Sequence, residues 1–150
     1  MKVFASPAEL AESVGAEIGA SDWLVIGQDR IDQFAEATGD HQWIHVDEVR
    51  AKDGPFGSTI AHGFLTLSLL PALLAEVYRV EGVRMGINYG LNRVRFINPV
   101  RVGSSVRAVM TVAEVDQQAD YVQVTAKAVV EIQGVEKPAA VAETVSRFYL

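Results

Sequence analysis

The chain has 150 residues, 49% of them hydrophobic, with 13 Lys and Arg against 19 Asp and Glu for a net charge of -6. That is enough apolar material for one compact domain over residues 1–150, and it excludes disorder as the default state. With no cysteine, a disulfide framework, a thiolate nucleophile and a cysteine-ligated metal are all excluded, while the acidic balance argues against a nucleic-acid coat and leaves only a local basic patch for an anionic ligand.

The N-terminus lacks the basic, then apolar, then small-residue order of an export signal, so a cytoplasmic location is expected. Ser6-Pro7-Ala8-Glu9 is a capping-box pattern with proline at the first helical position, which predicts a short helix to about Val14. Trp23 to Ile26 is a candidate short strand. From Asp29 onward Ile31, Phe34, Ala35 and Thr38 recur at helical spacing, and Gly39 stands where a left-handed stop is wanted. Asp47 can cap a further helix to about Lys52, before the Gly54-Pro55-Phe56-Gly57 turn.

The longest predicted helix runs from roughly His62 to Arg79, apolar on most faces and so buried on most faces, with a kink at Pro71. Phe64 to Ala75 is too short and too interrupted to span a bilayer. Beyond Gly82 alternation and β-branching take over: Val94 and Phe96 between arginines, then Val106 to Val115, Tyr121 to Ile132 and Val141 to Tyr149. The expectation is an α+β chain in which four or five long, mainly antiparallel strands wrap one greasy helix.

Thr38-Gly39-Asp40-His41-Gln42-Trp43-Ile44-His45 is the strongest chemical signal. A carboxylate and an imidazole five positions apart, just past a helix end, suit general acid and base work, since burial shifts either group toward its uncharged form. The plain alternative is a capping Asp and a structural His. His41 and His45, at i and i+4, would be able to ligate zinc with His62 if the segment were helical; Gly39 argues that it is not. Gly63 opens the long helix, where free N–H groups and the helix dipole favour a developing oxyanion.

The Thr-Gly-Asp-x₄-His segment, the Ile60-Ala61-His62-Gly63 turn and the Arg93-Val94-Arg95-Phe96 to Pro99-Val100 pattern, in order over about residues 22–150, resemble the MaoC-like, or R-specific, enoyl-CoA hydratases. Many members of that family have Asn-Pro where this chain has Gln42-Trp43, a pair familiar in its NodN-like branch. The resemblance implies a single hot-dog fold, a curved antiparallel sheet around a long central helix. It implies reversible addition of water to trans-2-enoyl thioesters, without metal or redox cofactor. Asp40, His45 and Gly63 would be catalytic, with His45 activating water, Asp40 exchanging the proton at C2 and Gly63 N–H stabilising the enolate-like oxygen. Ser68 would orient the carboxylate.

The same resemblance places Gln42, His62, Tyr89 and Asn92 around the substrate, with His62 holding the loop geometry before Gly63. Arg93 and Arg95 share one strand face and become candidates for coenzyme A phosphates. An acyl-CoA thioester substrate and a homodimer that covers a sheet edge are expected. The alternatives are a dehydratase acting on acyl carrier protein thioesters, a non-catalytic acyl-thioester binding module and a thioesterase.

Overall fold

The computed structural model describes residues 1–150. A three-residue strand β1 (Lys2–Phe4) leads into α1 (Pro7–Ala11), whose Ser6 side chain accepts from Glu9 N–H at 3.3 Å while Glu9 Oε2 accepts from Ala5 N–H at 2.6 Å. The Ser6 half of the expected capping box is formed, while Glu9 reaches back one residue further, to Ala5; the helix stops at Ala11 and turns follow to Gly15. Then come β2 (Glu17–Ala20), β3 (Leu24–Val25) and α2 (Gln28–Thr38). Gly39 ends α2 at φ 80°, a left-handed stop that a Cβ would strain.

Two short helices follow, α3 (Trp43–Val46) and α4 (Glu48–Lys52), the second capped by the Asp47 carboxylate through Arg50 N–H. The apolar helix expected over His62–Arg79 is divided into α5 (Gly63–Ser68) and α6 (Leu70–Val77). Pro71 causes the division: it has no N–H for the carbonyl four residues back. The helical end also lies earlier than expected. Tyr78 turns extended, and β4 (Tyr78–Val80) pairs in parallel with β1, because the N-terminal strand offers its backbone groups there.

The long strands are β5 (Met85–Phe96), β6 (Ser105–Gln117), β7 (Tyr121–Ile132) and β8 (Ala140–Tyr149). They form an antiparallel sheet in the order β2-β6-β7-β8-β5, with β3 also pairing to β6. Along β6, Val106, Ala108, Met110 and Val112 alternate inward with period two. The side chains under α5 and α6 are small, Ala108, Ala128, Ala140 and Ala142, which lets Leu65, Leu69, Leu70 and Leu73 approach the sheet closely. Each such leucine removed from water is worth about 1.5–3 kcal/mol.

A second apolar cluster joins Phe4, Leu10, Val77 and Val80 to Met110, Val112 and Val124, so the N-terminal segment closes the far end of the same sheet. The α+β arrangement is the hot-dog fold that the resemblance implies. The β5 edge is open and apolar. β5 pairs only with β8, and its Met85, Ile87, Tyr89, Leu91 and Phe96 are exposed.

Candidate active site

The Gly39 stop delivers Asp40 into an irregular segment, where its carboxylate accepts Gln42 N–H at 3.3 Å. That turn starts α3, on which His45 sits with only 6% of its surface exposed. His45 Nδ1–H donates to the Ile60 carbonyl at 2.7 Å, and Ile60 N–H returns a bond to the Ile44 carbonyl at 3.0 Å. Because Nδ1 carries the proton in this bond, Nε2 carries the lone pair. Burial pushes the His45 pKa below its ordinary value of 6.5, the Ile60 bond opposes that shift, nearby His62 reinforces it and Asp40 opposes it. The result is a neutral imidazole with a basic nitrogen.

His62 lies over His45 with ring centroids 3.8 Å apart and planes 23° from parallel, and Phe34 covers its edge at 4.9 Å. Its Nε2–H donates to the Asp40 carbonyl at 2.9 Å, which ties the Asp40 segment to the start of α5. Its buried Nδ1 has no partner. One oxygen of Asp40 and one ring nitrogen from each histidine lie within 4.8 Å of one another.

That cluster replaces the zinc set considered from the sequence. His41 instead points to Glu36 at 3.6 Å on the surface. The stack also disfavours a shared ion. At a bond length of about 2 Å an ion lies in the plane of the imidazole that binds it, and nearly parallel stacked rings do not share such a point.

Gly63 opens α5, and its N–H precedes the first intrahelical bond, Thr66 N–H to the His62 carbonyl, so it has no backbone acceptor. A Cβ on Gly63 would come within 2.8 Å of the Phe96 ring. His45, Gly63, Phe56, Thr66, Phe96 and Asn98 help to line one cavity of about 280 Å³. Thr66, three residues past Gly63 on the same helix face, was findable from helical spacing; Asn98 carries no such signal.

The remaining expected site residues lie elsewhere. Ser68 Oγ donates to the Phe64 carbonyl at 2.7 Å, one turn back on its own helix, and so does not orient the Asp40 carboxylate. It lines a second cavity, of about 290 Å³, with Leu67, Leu74, Asn88 and Leu91. Tyr89 and Asn92 line neither cavity: Tyr89 carries the Arg147 guanidinium 3.4 Å from its ring centre, and Asn92 donates to Glu143 at 2.7 Å. The exposed Arg93 and Arg95 form no ion pair, and Arg95 donates only to the Val94 carbonyl. The Gln42 side chain caps nothing, while its carbonyl accepts His45 N–H at 2.9 Å.

Comparison with known proteins gives this geometry a family. Residues 9–134 match the model of the MaoC like domain. The chain is 53% identical over 149 residues to 3-hydroxyacyl-thioester dehydratase Z of Mycobacterium tuberculosis, covering 99% of both chains. It is 44% identical over 144 residues to Nodulation protein N of Rhizobium leguminosarum bv. viciae, covering 94% of this chain and 89% of the relative. Among solved structures, the unliganded R-hydratase PhaJ1 of Pseudomonas aeruginosa superposes with a TM-score of 0.74 at 26% identity, covering 95% of this chain and 84% of that one.

Proposed function

The chain belongs to the MaoC-like dehydratase family, and from that premise we propose that it interconverts trans-2-enoyl and R-3-hydroxyacyl thioesters by adding or removing water. The observation that carries this reading is the His45 Nδ1–H bond to Ile60. It leaves the lone pair on Nε2, while His45 as a residue shares a cluster with Asp40 and a cavity with Gly63.

In the hydration direction His45 Nε2 takes a proton as water oxygen bonds to C3. The C2–C3 π electrons move toward the thioester oxygen, where Gly63 N–H stabilises the charge. The proton on His45 then passes to the Asp40 carboxylate, which delivers it to C2, so that both groups return to their starting forms. Each proton-transfer group is worth about 10²–10⁴-fold when placed. Dehydration is the reverse.

Coenzyme A is the favoured carrier, because Arg93 and Arg95 present two cations without carboxylate partners on the β5 edge strand. An acyl carrier protein thioester is the second reading, supported by the thioester without a named carrier in the name of the Mycobacterium relative. The cavity between α5–α6 and β5–β8, with its Leu67, Leu70, Leu74 and Leu91 lining, suits an acyl chain. A homodimer through β5 would cover the open edge and its exposed Met85, Ile87 and Leu91. No helix is long and apolar enough to cross a membrane, and the cytosol is the proposed location.

The test is turnover of crotonyl-, octenoyl- and dodecenoyl-CoA by the purified protein, followed by chiral analysis of the 3-hydroxyacyl product. R product supports the reading. Ligand retention without turnover would make the protein a binding module, and S product would overturn the stereochemistry.

A further inference from the structure

Gln28, the first residue of α2, was not a candidate from the sequence. Its side chain joins three separate segments. Nε2 donates to the backbone carbonyl of His45 at 2.7 Å and to Asp32 Oδ1 at 2.8 Å, while Oε1 accepts the Thr59 hydroxyl at 2.5 Å. The orientation of the amide is fixed by these partners. Turned over, its oxygen would face a carbonyl and a carboxylate, neither of which can donate.

The two ends of this bridge are the two ends of the His45 restraint. His45 belongs to α3, and the carbonyl that holds its Nδ1–H belongs to Ile60, next to Thr59. Thr59 is 1% exposed, and its own carbonyl accepts Val102 N–H at 3.0 Å, so it is anchored to the body of the protein. Gln28 therefore sets the spacing between the backbone of His45 and the segment bearing its imidazole acceptor. The contact with Asp32 makes one of its bonds charge-assisted and stiffens the amide further.

The geometry points to Gln28 as a positioning residue that, through Thr59, holds the His45 imidazole in the tautomer and orientation needed for proton transfer. This rests on the hydratase reading for its kinetic consequence but not for its structural one. Gln28 touches neither the cavity that contains His45 and Gly63 nor the one lined by Ser68. Its effect would appear in kcat with little change in KM, because misplacing a proton-transfer group by about 1 Å costs on the order of 10²-fold in rate.

The experiment compares Gln28→Met, which keeps the length and loses all three bonds, with Thr59→Val, which keeps the shape and loses the hydroxyl, and with Thr59→Ser, which keeps the hydroxyl. Two readouts are taken on the full chain: kcat and KM with crotonyl-CoA, and the His45 Nδ1–H resonance in ¹⁵N-edited NMR. The expected result is a kcat loss of about tenfold or more for Gln28→Met and Thr59→Val at a KM within about threefold, with the Nδ1–H signal broadened or lost. Thr59→Ser should recover both. A sharp, unshifted Nδ1–H resonance and unchanged kcat in folded Gln28→Met or Thr59→Val would overturn the assignment, and so would a rate loss matched by an equally destabilising Leu73→Ala change, at a residue that lines neither cavity. Should Gln28→Met fail to fold, the Thr59 pair carries the same decision. Should the unaltered protein turn over no enoyl thioester, the function reading fails, and the NMR readout still decides the role of Gln28.

Discussion

Replacing Gly63 by alanine separates packing from chemistry at the start of α5. The added Cβ would lie 2.8, 3.0 and 3.0 Å from three Phe96 ring atoms, against an optimal carbon–carbon separation of about 3.5–4.0 Å. The ring must move by roughly that difference, and it can, because Phe96 is 46% exposed and its aromatic neighbour is the exposed Phe64, edge-on at 5.9 Å. The steric cost therefore falls at the low end of the ~1–3 kcal/mol for overpacking, and about 0.5–1 kcal/mol returns from placing alanine in a helix. A Tm shift of no more than about 2–4 °C follows for a chain of this size.

Activity should respond differently, because the methyl group and the displaced ring enter the cavity from which a thioester oxygen would reach Gly63 N–H. Loss of one oxyanion donor costs about 10²–10³-fold in kcat, and we expect a fall of about 10²-fold. The assay is kcat for crotonyl-CoA beside thermal unfolding, for Gly63→Ala, Phe96→Ala and the double variant. If the ring alone obstructs the site, the double variant will match Phe96→Ala; if the methyl group blocks the oxyanion position, it will remain as slow as Gly63→Ala. Gly63→Ala protein with normal Tm and kcat within about threefold of the parent would refute the steric argument that brings the thioester oxygen against Gly63.

Asp40→Asn and His45→Gln should each lower kcat by at least about 10²-fold with the fold intact, and the double variant should lose far less than the product of the two, as expected for groups that act as a unit; near-normal turnover in either would remove that residue from the chemistry. Since burial lowers the pKa of His45 below 6.5, kcat/KM should fall on the acid side with a midpoint below pH 6.5, a limb that a pH–rate profile would place. The same shift has a stability consequence: below pH 6.5 the unfolded chain takes up the proton that folded His45 resists, so this contribution is complete above pH 6.5 and declines as pH drops toward the folded pKa. Urea titrations at several pH values should show that slope, and His45→Gln should lose it. Charge-neutral substitution of Arg93 and Arg95 should raise KM for a CoA thioester and weaken its salt dependence, with little change for a shortened pantetheine thioester; equal losses for both substrates would point to damaged structure instead.

What the sequence made legible follows the range of the interactions that decide it. The Gly39 stop, the Asp47 cap and the Ser6 cap are local, and each stands where residue chemistry places it. The alternation of Val106, Ala108, Met110 and Val112 is likewise local evidence of one buried face. By contrast β1 and β4 are three residues each and exist only as partners of one another, so neither carries a periodic signal of its own. The same rule holds at the site. Asp40 and His45 share one short segment and could be paired from spacing, whereas the His62 stack, the Ile60 acceptor and the Gln28 bridge join residues brought together only by the fold. Ser68 shows the opposite failure: a position inferred from resemblance was overridden by a carbonyl one turn away on its own helix.

The Gln42-Trp43 departure shows how a local restraint can be exchanged for a tertiary one. A proline at position 43 would fix φ through its own ring. Tryptophan has no such constraint, and here its ring packs against the backbone of Gly54, where a Cβ would meet Trp43 atoms at 3.1 Å. The Arg50 guanidinium lies over the tryptophan, 4.2 Å from a ring centre, within the range of a cation–π contact. Thus α3, α4 and the Gly54 turn are clamped together through one side chain, and Asp40 and His45 keep their places without the proline. The exchange also joins the Asp40–His45 segment to the turn that supplies Phe56, a wall of the His45 cavity. Gly54 is then favoured for a steric reason, since a side chain there would press on Trp43 and through it on the helix that carries His45.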